Sequence, residues 1–481
     1  MEGLMSRTAL GARDRLILLL ITAVELVVFL DTTVLNVALP SIGNDLGLDE
    51  AGLGWVTNAY LLAFGGCMLL GGRAADLLGP RRMFACGLAV FTAASALAGF
   101  AGTPALLIAA RALQGIGAAV VIPAQLALLT ATFTEPSARN RAFGVWSAMG
   151  AAGAALGTAI GGPLTDWFGW PSIFLINLPV GLLALGLLAV LPADTAPGGT
   201  GRRLDLPGAV TGTAALLLIG YAIGALADPG ARVSACGLLV AGAVLLACFL
   251  WIEARSPHPL MPLRLFEVRQ VRGSALVNVL VGASHVPTFA LLALYLQNSQ
   301  GYSPTASGLA VLPVAVVNIL ISRTLIPIAL DRLGAWRVLA GGLALQAVAM
   351  ALFARVPEHA TYPIDVLPGA ILLGIGLPAA FVGVTAPAVT SVDQVDAGIT
   401  AGIVNTAQRV GSGLGVTVLL LLGQVVTEQS AAGPEHAYRT GLAAAFTVAA
   451  ALAAFGAVLT VALLRAKPRL AQHTGTAVSA S

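Results

Sequence analysis

The sequence holds very little charge. Asp, Glu, Lys and Arg make up 10% of its 481 residues, where a soluble domain carries about 25%. Lysine is almost missing, and Lys467, near the end, is the only one. A GxxxxGK[ST] phosphate loop needs a lysine at its glycines, so an ATP-driven pump built on this chain alone is excluded. HExxH is missing too, and the five histidines lie far apart. No enzyme activity, cofactor, metal site or nucleic-acid partner is therefore expected. Cysteine is scarce, and Cys67, Cys86, Cys236 and Cys248 form no CxxC pair. They read as small apolar residues inside helices.

What is present is apolar. Hydrophobic residues reach 58% and the mean hydropathy is +0.91. The apolar runs recur at lengths of about 20, enough to cross a hydrocarbon core roughly 30 Å thick. A β-barrel would show short alternating segments instead. The expectation is an all-α integral membrane protein in the lipid bilayer. Fourteen spans are expected, at 15–39, 52–71, 82–101, 104–130, 141–163, 171–191, 206–227, 232–253, 271–297, 305–328, 337–354, 364–390, 399–424 and 440–464. The first run continues through Glu25 and Asp31 with no small-residue cleavage site, so it reads as a retained helix.

The arginines orient the spans. With the N-terminus cytoplasmic, nineteen basic residues fall in inside segments and three (Arg232, Arg355, Arg439) in outside loops. That asymmetry matches the positive-inside rule and places both termini in the cytoplasm. The loop around Asp393 and Asp396 is acidic and does not contribute.

The chain also repeats. "DLLGPRR" (Asp76 to Arg82) and "DRLGAWR" (Asp331 to Arg337) both fit D-x-L-G-x-x-R. Gly153, Gly157 and Gly161 recur every four residues in span 5, as Gly411 and Gly415 do in span 13. Both correspondences are offset by eight spans. Two six-helix halves follow, residues 1–192 and 270–466, separated by an inserted pair of helices in 193–269 and followed by a cytoplasmic tail, 467–481. Parallel repeats of this kind are a transporter architecture, with the substrate between the halves.

Several stretches are similar to known motifs. "LDTTVLNVALP", "GGRAADLLGPRR", "RALQGIGAAVVIP", "GAALGTAIGGPL" followed by "FGWPSIFLINLPVG", and "YLQNSQGYSPTASGLAVLP" together resemble the major facilitator superfamily. Within it they resemble the fourteen-helix drug:proton antiporters. Two positions depart from the pattern: Leu77 stands where a basic residue is usual, and Pro171 where an arginine is. The resemblance implies alternating-access export of antibiotics or lipophilic drugs in exchange for protons, across a bacterial cytoplasmic membrane. It also implies a loop motif (Gly72, Asp76, Gly79, Arg81, Arg82) and an antiporter motif (Gly153, Gly157, Gly161, Gly162, Pro163). A proton-coupled carrier of a metabolite with the same fold is the alternative.

Two carboxylates stand out in the first span. An ionised acid at the bilayer centre costs at least about 2.5–3.5 kcal/mol, so such residues usually mark ion or substrate paths. At ~1.5 Å per residue, Asp31 lies roughly 24 Å above Arg15, and Arg111 on the antiparallel fourth span reaches a similar depth. The two are expected to pair. Either the pair responds to protonation or it is a permanent tie between spans 1 and 4. Glu25 falls at about the azimuth of Thr32 and Asn36, while Asp31 lies about 120° away. Glu25, Thr32 and Asn36 are thus a candidate cavity stripe, and Glu25 takes a proton, attracts a cationic substrate, or packs as a protonated or hydrogen-bonded residue. His285, mid-span 9, is a further cavity candidate. Arg409, deep in span 13, needs a partner that spacing does not name.

Overall fold

The structure is a computed structural model that describes residues 11–192, 205–226, 230–257, 259–357, 360–430 and 433–465. Every regular element among the described residues is helical. In chain order they are α1 (Ala12–Leu46), α2 (Glu50–Leu78), α3 (Pro80–Gly99), α4 (Pro104–Thr132) and α5 (Pro136–Phe168). A broken run of α6 (Ser172–Leu175) and α7 (Asn177–Gly186) follows. Next come α8 (Leu206–Ala225), α9 (Arg232–Arg255), α10 (Arg269–Leu294), α11 (Pro304–Leu333) and α12 (Ala335–Phe353). Last are α13 (Leu367–Val389), α14 (Gln394–Gln429) and α15 (Pro434–Leu464). Twelve of the described helices are long and apolar enough to cross a membrane, with Ser172–Gly186 as a shorter apolar run.

Local chemistry explains where helices begin. Asp49, Thr103, Asp205 and Ser303 each accept the backbone N–H three residues on, which satisfies a donor the helix leaves open. Pro104, Pro207 and Pro304 sit in the first turn, where proline loses no helical hydrogen bond. The repeated D-x-L-G-x-x-R stretch makes the same turn twice. Gly79 joins α2 to α3 at φ 98°, and Gly334 joins α11 to α12 at φ 81°. Left-handed φ of this kind is open to glycine and strained for other residues.

The repeat governs packing as well. α1 packs on α5 as α10 packs on α14, α2 on α4 as α11 on α13, and α3 on α4 as α12 on α13. Between these two sets the main contacts are α2 with α14 and α5 with α11. Exchanging α2 for α11 and α5 for α14 maps one contact onto the other. α8 and α9 pack on each other, and α8 leans on α2 and α14.

The glycine rows set how closely the paired helices approach. A Cβ on Gly153 or Gly157 would run into the carbonyl of Leu26 or Leu30 on α1. A Cβ on Gly411 or Gly415 would run into Val279 or Ala283 on α10. Only small residues allow backbones this close. Gly162 and Pro163 do not end α5. The helix continues through both to Phe168, five residues past the expected end at 163. Proline within a membrane helix is tolerated where neighbours satisfy the freed backbone groups.

The ends of the bundle are tied differently. On one face Arg13 donates to the Val190 carbonyl and Arg269 to that of Ala462. This near face holds the starts of α1 and α10 and the end of α15. On the far face Gln297 donates to the Val37 carbonyl at 2.8 Å. There Asp166, at the end of α5, accepts from the backbone N–H (2.9 Å) and hydroxyl of Thr305, at the start of α11. Gly162 lets the Pro304–Thr305 backbone lie directly against α5. The far face is thereby closed between the two helix sets.

Candidate functional site

The first group of polar residues is buried inside the α1–α7 set. Asp31 is 0% exposed and Arg111 1%. Arg111 Nη1 donates to Asp31 Oδ2 at 2.7 Å, the pairing that depth along the two helices suggested. Sequence reasoning did not name the other partners. Asn177 Nδ2 and Gln114 Nε2 donate to Asp31 Oδ1 at 2.7 and 3.2 Å. Ser95 accepts from both amides, Gln114 Oε1 accepts from Arg111 Nη1, and Arg111 Nε donates to the Val56 carbonyl. Five elements (α1, α2, α3, α4 and α7) thus meet at one carboxylate. Gln114 was within reach of inspection, since it lies one helical turn after Arg111 and faces the same way. Asn177 sits in a quoted motif without a signal of its own, and Ser95 has none.

Aromatic rings enclose this buried charge pair. The guanidinium lies 4.4 Å from the centroid of Tyr60 and 5.8 Å from that of Phe174. In a site this dry an unpaired charge would be costly, so each member of the network holds the others.

The second group lies between the two helix sets. Arg409 on α14 places its guanidinium 4.4 Å from the Phe64 centroid and 5.8 Å from that of Phe29. It acts electrostatically on Glu25, Tyr60 and His285. Glu25 is 1% exposed, its carboxyl lies against Gly150, and its Oε2 has no hydrogen-bond partner. His285 rests its ring on Phe289 and Phe381, and its Nδ1 is also without a partner. Glu25 and His285, far apart in sequence, are therefore brought around one arginine.

The expected cavity stripe divides. Thr32 is half-buried and donates to the Val28 carbonyl, with the Tyr60 hydroxyl 3.5 Å away. Asn36 is buried at 9% exposure. Glu25 is thus the member of the stripe that faces Arg409.

The two glycine-containing motifs differ in reach. Gly153, Gly157 and Gly161 line the α1 contact, whereas Gly162 contacts α11 across the set boundary. Pro163 lies within α5. In the loop motif Gly72 faces Pro123 on α4, Gly79 makes the left-handed turn, and Arg81 and Arg82 open α3. The Asp76 side chain lies outside the described residues.

Two packed helix sets related by an internal repeat, with ionisable groups buried inside and between them, are the build of a multi-pass membrane transporter. The comparisons agree. Residues 21–416 match the Major Facilitator Superfamily, and the chain belongs to that family. A puromycin resistance protein of Streptomyces alboniger is 39% identical, covering 96% of this chain and 93% of its own. A cephamycin export protein of Amycolatopsis lactamdurans is 39% identical over 83% of this chain and 82% of its own. A multidrug resistance protein of Mycobacterium tuberculosis is 34% identical over 85% and 75%. Among solved structures, a bacterial homologue of the lysosomal transporter Spinster, inward-facing and unoccupied, superposes at TM-score 0.68. It has 16% identity and covers 96% of this chain and 100% of its own. At that identity the likeness concerns the fold alone.

Proposed function

We propose that the chain exports antibiotics or other lipophilic drugs across a bacterial cytoplasmic membrane in exchange for protons. The relatives named for resistance and export support the export part. The observation that carries the proton part is the dry carboxylate at Asp31, held by three side-chain donors from α4 and α7. In the deprotonated state those charge-assisted bonds draw α1 against its neighbours. A proton on Asp31 cancels the charge that Arg111, Gln114 and Asn177 address, and α1 is freed to shift. α1 also carries Glu25 and Phe29, so the shift is felt at the cavity between the halves. One charge moved through 100 mV is worth about 2.3 kcal/mol, enough to drive a neutral drug roughly fifty-fold uphill.

In this reading α5 and the α6–α7 run complete fourteen spans, and the near face is cytoplasmic. Residues 1–192 and 270–466 are the rocking halves, and 193–269 is the inserted pair. The closed far face suits an inward-facing state. Expression in a drug-sensitive host tests the proposal. Cellular drug accumulation should fall, the fall should vanish with a protonophore, and Asp31→Asn should abolish it. Undiminished pH-gradient-driven transport by Asp31→Asn in reconstituted vesicles rejects the coupling role.

A further inference from the structure

Among the described residues, no carboxylate forms an ion pair with Arg409. It is half-buried at mid-helix, between the two halves. The ion pairs seen among the described residues are Arg111–Asp31 and Arg264–Asp396, and Arg409 belongs to neither. Glu25 makes no ion pair with it among the described contacts. Its neighbours with ionisable side chains are Glu25 from α1, Tyr60 from α2 and His285 from α10. No hydrogen bond from its guanidinium is found to any described residue. The rings of Phe64 and Phe29 face the cation and supply part of its stabilisation.

Such a group is costly to hold in a low-dielectric interior unless something charged completes it. A planar guanidinium offers a fork of donors that matches a carboxylate or similar oxyanion. Beside it stands Phe29, and Phe289 and Phe381 flank the His285 ring, apolar faces suited to a ring system. We propose that Arg409 recognises the anionic group of the exported molecule, and that this chain favours amphiphiles with an aromatic body and a carboxylate. Glu25 is then the internal competitor: once ionised it addresses the same guanidinium. This inference rests on the exporter reading and goes on to name its substrate class.

Two aromatic dyes of opposite charge test it on the purified full-length protein in lipid nanodiscs. Fluorescein carries a carboxylate, and ethidium carries a fixed positive charge. The unaltered protein should bind fluorescein more tightly. Arg409→Gln should weaken fluorescein about tenfold or more, the worth of a charge-assisted bond, while ethidium holds or tightens. Arg409→Lys should restore part of the loss. Glu25→Gln should tighten fluorescein and weaken ethidium. Thermal unfolding of each variant is followed alongside, and the Lys and Glu25 variants keep the test open should Arg409→Gln not fold. Equal losses for both dyes overturn the proposal, as do a preference for ethidium in the unaltered protein, no fluorescein binding at all, or a Glu25→Gln effect of the opposite sign. The exporter reading fails differently, through unchanged accumulation of every antibiotic and dye in cells that express the unaltered chain.

Discussion

Tyr60 and Phe64 stand one turn apart on α2, ring centroids 5.7 Å apart at 65°, and each carries an arginine on its face. Arg111 lies over Tyr60 and Arg409 over Phe64. The buried charge pair of one half and the lone cation of the other are thus separated by two rings on a single helix. α2 is also the helix that packs against α14 across the halves. Arg111 and Arg409 are thus linked through packed rings on one helix.

Phe64→Leu keeps an apolar side chain and removes the ring. The cation–π contact it forfeits is worth about 0.5–2 kcal/mol. Dye binding at Arg409 should weaken several-fold, while the Asp31 network, which does not include Phe64, stays intact. Side-by-side titration and thermal unfolding of the variant would check this. A melting temperature that drops with unchanged binding would contradict it.

Breaking the Asp31–Arg111 pair from one side should be worse than removing both charges. Arg111→Gln leaves an uncompensated buried carboxylate, a loss of about 3–5 kcal/mol. The double variant Asp31→Asn with Arg111→Gln should recover much of that loss in thermal unfolding, yet remain unable to couple transport to a pH gradient. Additive destabilisation in the double-mutant cycle would rule out direct coupling of the two.

Gly157→Val should separate α1 from α5, because its side chain would collide with the Leu30 carbonyl and the Thr33 hydroxyl. Overpacking of this kind costs about 1–3 kcal/mol. Gly415→Val, the counterpart between α14 and α10, should behave alike. Expression yield and melting temperature in detergent report the outcome. A tolerated Gly157→Val would mean the helices approach less closely than described.

The far-face closure depends on Asp166. Its carboxylate caps the start of α11 from the opposite half through the Thr305 N–H and hydroxyl. Losing such a cap costs about 0.5–2 kcal/mol, here taken from the closed state. Asp166→Ala should therefore expose the far face more often. A cysteine placed at Gln297, whose amide bonds to Val37 across the same seam, should be labelled faster by an impermeant maleimide in the Asp166→Ala background. An unchanged labelling rate would show that the seam closes without this contact.

Some of this was legible in sequence for clear reasons. The Asp31–Arg111 pair follows from depth along two antiparallel helices, since a lone buried charge must find its complement. The repeated turn and the glycine spacing reappear as matched helix contacts, α1 on α5 and α10 on α14. Other parts were not legible. Ser95 and Asn177 are ordinary polar residues until α3 and α7 bring them to one carboxylate. The azimuth of Thr32 did not reveal that its hydroxyl bonds the Val28 carbonyl and approaches Tyr60 on α2. Helical periodicity gives direction around an axis, but it does not say which neighbour stands there.

By itself the sequence determined that the chain is helical and apolar, that it repeats, and that a few acids and arginines must be buried. These are consequences of composition and local spacing, and each residue type brings them wherever it lies. Only the tertiary structure decided that Asp31 is held by three donors while Arg409 forms no ion pair among the described residues, and that α5 and α11 are tied at the far face. Those outcomes depend on distances between residues from 80 to 260 positions apart in the chain. Electrostatic and hydrogen-bond energies change over a few ångströms, so they are fixed by packing and by nothing shorter in range.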